Sequence, residues 1–225
     1  MKDNFIIPSD LMISKILILV LFTIFACTKP TKREFLLNPQ HEEWSVKSPD
    51  NYSVEFSTSQ GNFVIDITRK WAPIGADRFY NLVRHGYYDD ARFHRVVKGF
   101  IVQFGLAGDP TVTQAWMDQF IPDDPVKQSN RKGTIAYAFT EPGTRSTQVY
   151  INMVDNVRLD SIGFAPFGKV IKGMNIVERI FSGYGEDSGG GVRRGDQSKI
   201  VQYGNEYLDR EFPDLDRIMS AKIVE

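Results

Sequence analysis

Cysteine and histidine, the side chains most readily used as nucleophiles, proton carriers or metal ligands near neutral pH, are few in this chain. There is a single cysteine, Cys27. One thiol excludes an internal disulfide and a cysteine-based metal cluster. The three histidines, His41, His85 and His94, are scattered, and none has a partner at a two-ligand spacing. No metal site and no cofactor are expected. Asp89-Asp90 and Asp123-Asp124 are adjacent carboxylates that read as solvated loop charges, since a carboxylate-pair hydrolase needs a cleft that cannot be placed around them. The run 183–195 contains Gly189-Gly190-Gly191 but lacks a Gly-Lys-Ser or Gly-Lys-Thr ending. It reads as a flexible surface loop and not as a phosphate cradle. That leaves the stretch from Phe93 to Gly105, with Arg95, Phe100 and Gln103. Taken singly, Arg95 is equally a surface arginine in an ion pair, and Phe100 ordinary core.

The elements that must position these residues sit in a chain of 225 residues, 42% hydrophobic and 24% charged. That is ordinary globular composition, enough for one generous domain with extensions. The net charge is -1, so no basic field argues for a nucleic-acid partner. Sixteen Phe and nine Tyr suggest an aromatic-rich core or groove.

The first residues do not read as fold. Residues 16–26 are an unbroken apolar run behind Lys15. Spanning a bilayer takes about 20 such residues, whereas this length suits a secretory signal, whether translation starts at Met1 or Met12. The run ends Ile24-Phe25-Ala26-Cys27, which resembles the bacterial lipoprotein box, a small residue before a cysteine that receives lipid. Residues 1–27 are therefore expected to be a signal peptide ending at a lipidated Cys27. Residues 28–50, polar and containing Pro30, Pro39 and Pro49, read as a linker, with Trp44 the one side chain suited to docking on the domain. The domain itself is expected over 51–225.

Within it, Ser53 to Ser59 alternates, Gln60-Gly61-Asn62 marks a turn, and Phe63 to Thr68 is rich in branched residues. This predicts a hairpin. Pro73 opens a helix with Ala76, Phe79, Leu82 and Val83 at helical spacing, closed by Gly86. Residues 106–131 read as irregular. Strand-like runs return at 133–138, 148–153 and 167–171, and a second helix is predicted over Met174 to Phe181. The tail from Tyr207 has a helical apolar pattern broken by Pro213 and should pack on the domain. Many short strands with two helices point to a closed antiparallel barrel.

The run Phe93-His94-Arg95-Val96-Val97-Lys98-Gly99-Phe100-Ile101-Val102-Gln103-Phe104-Gly105 resembles the cyclophilin motif Phe-His-Arg-Val-x-x-Gly-Phe-x-x-Gln-x-Gly. Ala72-Pro73, Asn81-Leu82-Val83, Gly86-Tyr87-Tyr88, Gly133-Thr134-Ile135-Ala136, Thr147-Gln148, Phe167-Gly168-Lys169-Val170 and Gly173-Met174-Asn175 match in order. The resemblance covers about residues 51–182. It implies a mainly β fold, a closed eight-stranded antiparallel barrel capped by two α-helices, and peptidyl-prolyl cis-trans isomerase activity.

The same resemblance implies that Arg95 and Gln103 are catalytic. Phe100, Ile101, Ala138, Phe139, Gln148, Tyr150 and Leu159 would then line the substrate groove. The chain departs from the family at the far rim. The groove tryptophan falls near Arg158, the groove histidine near Phe164 or Ala165, and Phe139 replaces an asparagine. The expected partners are proline-containing polypeptides, and a membrane reached through the lipid anchor. The protein is expected to be a monomer at the bacterial cell envelope, facing the periplasm, with the outer membrane favoured, where it would assist the folding of exported proteins. The alternative is a catalytically weak module that binds proline-containing peptides.

These residue types suit that chemistry. Amide resonance sets a rotation barrier of about 18–20 kcal/mol, while the two X–Pro states differ by only about 0.5–1 kcal/mol. No bond breaks, so neither nucleophile nor metal is needed. In the twisted transition state the proline nitrogen regains a lone pair and accepts a hydrogen bond, which the planar state cannot do. An arginine donor aimed there favours the transition state selectively.

Overall fold

The computed structural model describes residues 31–191 and 195–224. Strand β1 (Asn51–Thr58) and strand β2 (Gly61–Thr68) form the predicted hairpin, with Thr58 opposite Gly61. Period-two alternation turns Tyr52, Val54 and Phe56 inward on one strand and Phe63, Ile65 and Ile67 inward on the other. Phe56 stacks on Phe63 across the pair, ring centroids 4.9 Å apart. The remaining strands are β3 (Arg95–Val97), β4 (Ile101–Phe104), β5 (Thr134–Tyr137), β6 (Val149–Asn152), β7 (Pro166–Lys172) and β8 (Ile218–Val224).

All neighbours in the sheet are antiparallel, in the order β3-β4-β6-β5-β7-β2-β1-β8. The closed barrel expected from the sequence is not what forms. β3 and β8 end the order with no ladder between them, so the sheet curls but stays open. β3 is only three residues long. The two edges are tied just before those strands, by a bridge between Arg92 and Arg217 and by Phe93 N–H donating to the Asp216 carbonyl at 3.0 Å.

Five α-helices occur among the described residues, where two were expected. Helix α1 (Lys32–Leu36) and a 3-10 turn over Glu42–Ser45 lie in the stretch read as a linker. That stretch is packed from Lys32 onward. Trp44 docks edge-on against Trp116 at 4.6 Å, Leu36 is buried, and Lys32 and Arg33 pair with Asp89 and Asp109.

Helix α2 (Pro73–Arg84) begins on its proline and buries Ala76, Phe79, Leu82 and Val83, as the spacing predicts. Gly86 closes it at φ 68°. Its N–H bonds Val83 while Tyr87 N–H bonds Leu82, a paired C-cap that needs a left-handed residue.

Helix α3 (Pro110–Trp116) interrupts the segment read as irregular. Asp109 caps it by accepting from Thr111 N–H, and Val112 and Trp116 are buried. Helix α4 (Met174–Val177) stops after one turn instead of reaching Phe181. Helix α5 (Ser198–Glu211), kinked at Gly204, buries Ile200 and Leu208 against Leu106. The tail then supplies β8, a strand the sequence reading did not contain. The expected signal peptide and lipidated Cys27 lie outside the described residues. Among those that are described, no helix is long and apolar enough to cross a membrane.

Candidate active site

Strand alternation separates two sets of side chains. Val96, Val102, Phe104, Ile135, Tyr137, Val149 and Ile151 join the main core. The residues between them must face the other side of the sheet. Register then lines up four of them. Arg95 is opposite Gln103, Gln103 opposite Tyr150, and Tyr150 opposite Ala136. One row across β3, β4, β6 and β5 thus runs from a guanidinium to an apolar bed.

At the polar end, Arg95 Nη1 donates to Gln103 Oε1 at 2.9 Å. Gln103 Nε2 donates in turn to Gln148 Oε1, also at 2.9 Å. His94 Nε2 lies 3.2 Å from the same Gln148 oxygen, and Gln148 Nε2 donates to Gln197 Oε1 at 3.0 Å. Arg95 Nη2 donates to Glu186 Oε1 at 2.5 Å. Burial pushes the His94 imidazole down to about 4, outweighing its bond to Gln148. His94 is therefore neutral and hydrogen-bonded in the interior, the packing role its surroundings suit.

At the apolar end, Ile101, Ala136, Tyr150 and Leu159 form a buried cluster, with Phe100, Ala138 and Phe164 packed on it. Leu159 arrives on a 3-10 turn, Val157–Leu159. Asn156, just before that turn, pins it: its Nδ2 donates to the Phe100 carbonyl at 3.0 Å and its backbone N–H to the Asn130 carbonyl at 2.7 Å, while Tyr150 Oη donates to Asn130 Oδ1 at 2.8 Å. Phe139 lies beside this bed, 4.2 Å from Phe164, with the Arg145 guanidinium 4.1 Å from its ring centre. The Arg158 guanidinium stands 5.1 Å from the Phe100 ring centre and that of Arg95 5.9 Å.

All nine site residues expected within the domain thus fall on one side of the sheet, as a donor array beside an apolar floor. Phe164, near which the family's groove histidine was expected, packs on the floor, and two neighbours at the arginine end were missed, Gln197 and Glu186. Glu186 belongs to the glycine-rich run 183–195 and Gln197 just precedes helix α5, and the reading of that run as a flexible surface loop needs correcting. Ser188 is buried and its hydroxyl donates to the His94 carbonyl at 2.7 Å. A Cβ at Gly189 would collide with that same carbonyl oxygen. The described part of the loop therefore seats on the chain at His94, where only glycine allows so close an approach. Among the described residues, no three His, Cys, Asp or Glu side chains are grouped to hold a metal ion.

Residues 53–205 match the family described as cyclophilin type peptidyl-prolyl cis-trans isomerase/CLD. A peptidyl-prolyl cis-trans isomerase of Acinetobacter baylyi is 36% identical over 135 residues, covering 58% of this chain and 72% of that one. Peptidyl-prolyl cis-trans isomerase B of Escherichia coli is 32% identical over 141 residues, 56% of this chain and 82% of its own. In fold, the chain is similar to a cyclophilin type isomerase of Cryptosporidium parvum, with a TM-score of 0.57 at 22% identity over 78% of this chain and 98% of that one. A second structure of that protein, solved in the presence of the dipeptide Ala-Pro, gives 0.55 at 23% identity over 77% and 99%. With the family matched across most of its length, this chain belongs to the cyclophilin-type peptidyl-prolyl cis-trans isomerases.

Proposed function

We propose that Arg95 is the group that lowers the rotation barrier, by donating to the proline nitrogen as it becomes pyramidal. The observation that carries this is the single cross-strand row from Arg95 through Gln103 and Tyr150 to Ala136. It sets a fixed donor beside an apolar bed. Phe100, Ile101 and Leu159 would hold the proline ring, with Ala138, Tyr150 and Phe139 extending the groove. Gln103 would fix one face of the guanidinium, and Gln148 would fix Gln103. A donor already in place needs no reorganisation when the lone pair appears.

The substrates would be proline-containing polypeptides, as the Ala-Pro dipeptide studied with the Cryptosporidium relative suggests. The apolar run before Cys27 supports a lipid anchor on the periplasmic side, where the protein would act as a monomer on exported proteins as they fold; Thr28-Lys29, with no aspartate after Cys27, favours the outer membrane. Labelled palmitate should enter the wild-type protein and not Cys27→Ala; label retained by the variant would remove the anchor from this account.

A second reading, a peptide-binding module with little turnover, is favoured by Arg158 standing over Phe100 where the family carries tryptophan. Exchange NMR on an Ala-Pro-containing peptide separates the two. Cross-peaks between cis and trans proline signals that grow with added protein support the isomerase. Shifted peaks with no accelerated exchange support the module.

A further inference from the structure

We propose that Glu186 is a positioning residue for Arg95, and that the glycine-rich loop carrying it is part of the working site. The inference rests on Arg95 being the donor in the isomerase reaction. Both partners are largely enclosed, with side-chain exposures of 11% for Arg95 and 14% for Glu186. A guanidinium this enclosed is held in one orientation by the acceptors that bond its arms. Gln103 takes one hydrogen from Nη1 and Glu186 one from Nη2, so two acceptors hold opposite arms of one planar fork. That arrangement fixes both the rotamer and the plane of the guanidinium. The remaining Nη hydrogens then have a set direction.

The loop is built to deliver that carboxylate. Upstream, the Tyr184 ring packs edge-on against Phe181 and Phe212, centroids 5.0 and 5.1 Å away, and its hydroxyl donates to Asp214. Downstream, Ser188 is anchored to the His94 carbonyl and Gly190 N–H bonds the Glu186 carbonyl at 2.9 Å. A Cβ at Gly195 would collide with that carbonyl. The Glu186 backbone is thus clamped on both sides. A carboxylate that merely competed with substrate for the arginine would have to swing away. This one is held where it steadies the fork.

The test uses the full chain as wild type, Glu186→Ala and Glu186→Gln, with turnover and peptide affinity read separately by exchange NMR. Glu186→Ala should lose about 10- to 100-fold in kcat, the range a misplaced catalytic group produces, while peptide affinity stays within about twofold. Glu186→Gln keeps an acceptor oxygen and should recover most of the rate. Turnover in Glu186→Ala at or above wild type overturns the proposal, as does Glu186→Gln failing to the same extent as the alanine variant. If the wild type itself shows no turnover, the isomerase reading fails. The role of Glu186 is then read from the Arg95 Nε–H, which is buried without a partner. Its exchange with water should be slow in wild type and Glu186→Gln and faster in Glu186→Ala. Equal rates in all three contradict it.

Discussion

In the proposed reaction a guanidinium works through direction and not through proton transfer, because arginine offers a fixed fork of donors. Arg95 is aimed by Gln103 and Glu186, and Gln103 is aimed by Gln148. His94 supports the far end of that chain from a fully buried position. Its depressed affinity for protons has a stability consequence. An unfolded histidine takes up a proton near pH 6.5, whereas folded His94 resists protonation down to about 4. Between those values the unfolded state binds a proton that the folded state refuses. The contribution of a neutral His94 is therefore complete above about pH 6.5 and lost as pH falls toward 4, by up to about 3 kcal/mol. Urea midpoints measured across that window should decline, and His94→Gln should flatten the decline; a profile identical in both proteins would contradict the assignment.

The elements differ in how plainly the chain announces them. The β1–β2 hairpin and helix α2 were legible because each is local, and the β3–β4 pair, though not read as strands, is equally local. The Lys98-Gly99 turn alone puts Arg95 opposite Gln103, and Gly86 can only be a cap. Helix α3 was hidden because Pro110 reads as a breaker unless Asp109 is recognised as the cap before it. Strand β8 was hidden because its register against β1 joins residues far apart in sequence and its exposed Met219 and Lys222 blur the alternation. Glu186 was invisible for the same reason, lying 91 positions from the arginine it pairs with. The segment before β1 reads as a linker because polar and proline-rich composition masks apolar anchors such as Leu36. Trp44, the one side chain expected to dock, is wedged among Phe35, His85 and Trp116. Trp44→Ala should cost about 3 kcal/mol in chemical denaturation; a loss under about 1 kcal/mol would mean the segment contributes little to the fold.

At the scale of the molecule, an open curled sheet presents one face to the main core and the other to the site, so the strands that build the core also set the spacing of the groove. The expected closure is missing between β3 and β8, and the neighbouring chain at Arg92 and Phe93 makes the tie instead. Nothing in the donor array titrates near neutrality: amides and guanidinium groups keep their state, and His94 stays neutral. Turnover should accordingly vary little from about pH 6 to 8, and a sharp bell-shaped profile would require a proton-transfer step this site does not provide. The central claim is that a directed arginine fork favours the twisted proline. Turnover of a proline peptide by wild type, Arg95→Ala and Arg95→Lys tests it most directly. The account predicts that both variants lose about 10²- to 10³-fold in kcat/KM, because a lysine supplies charge without the fork. Wild-type turnover surviving in either variant would contradict it.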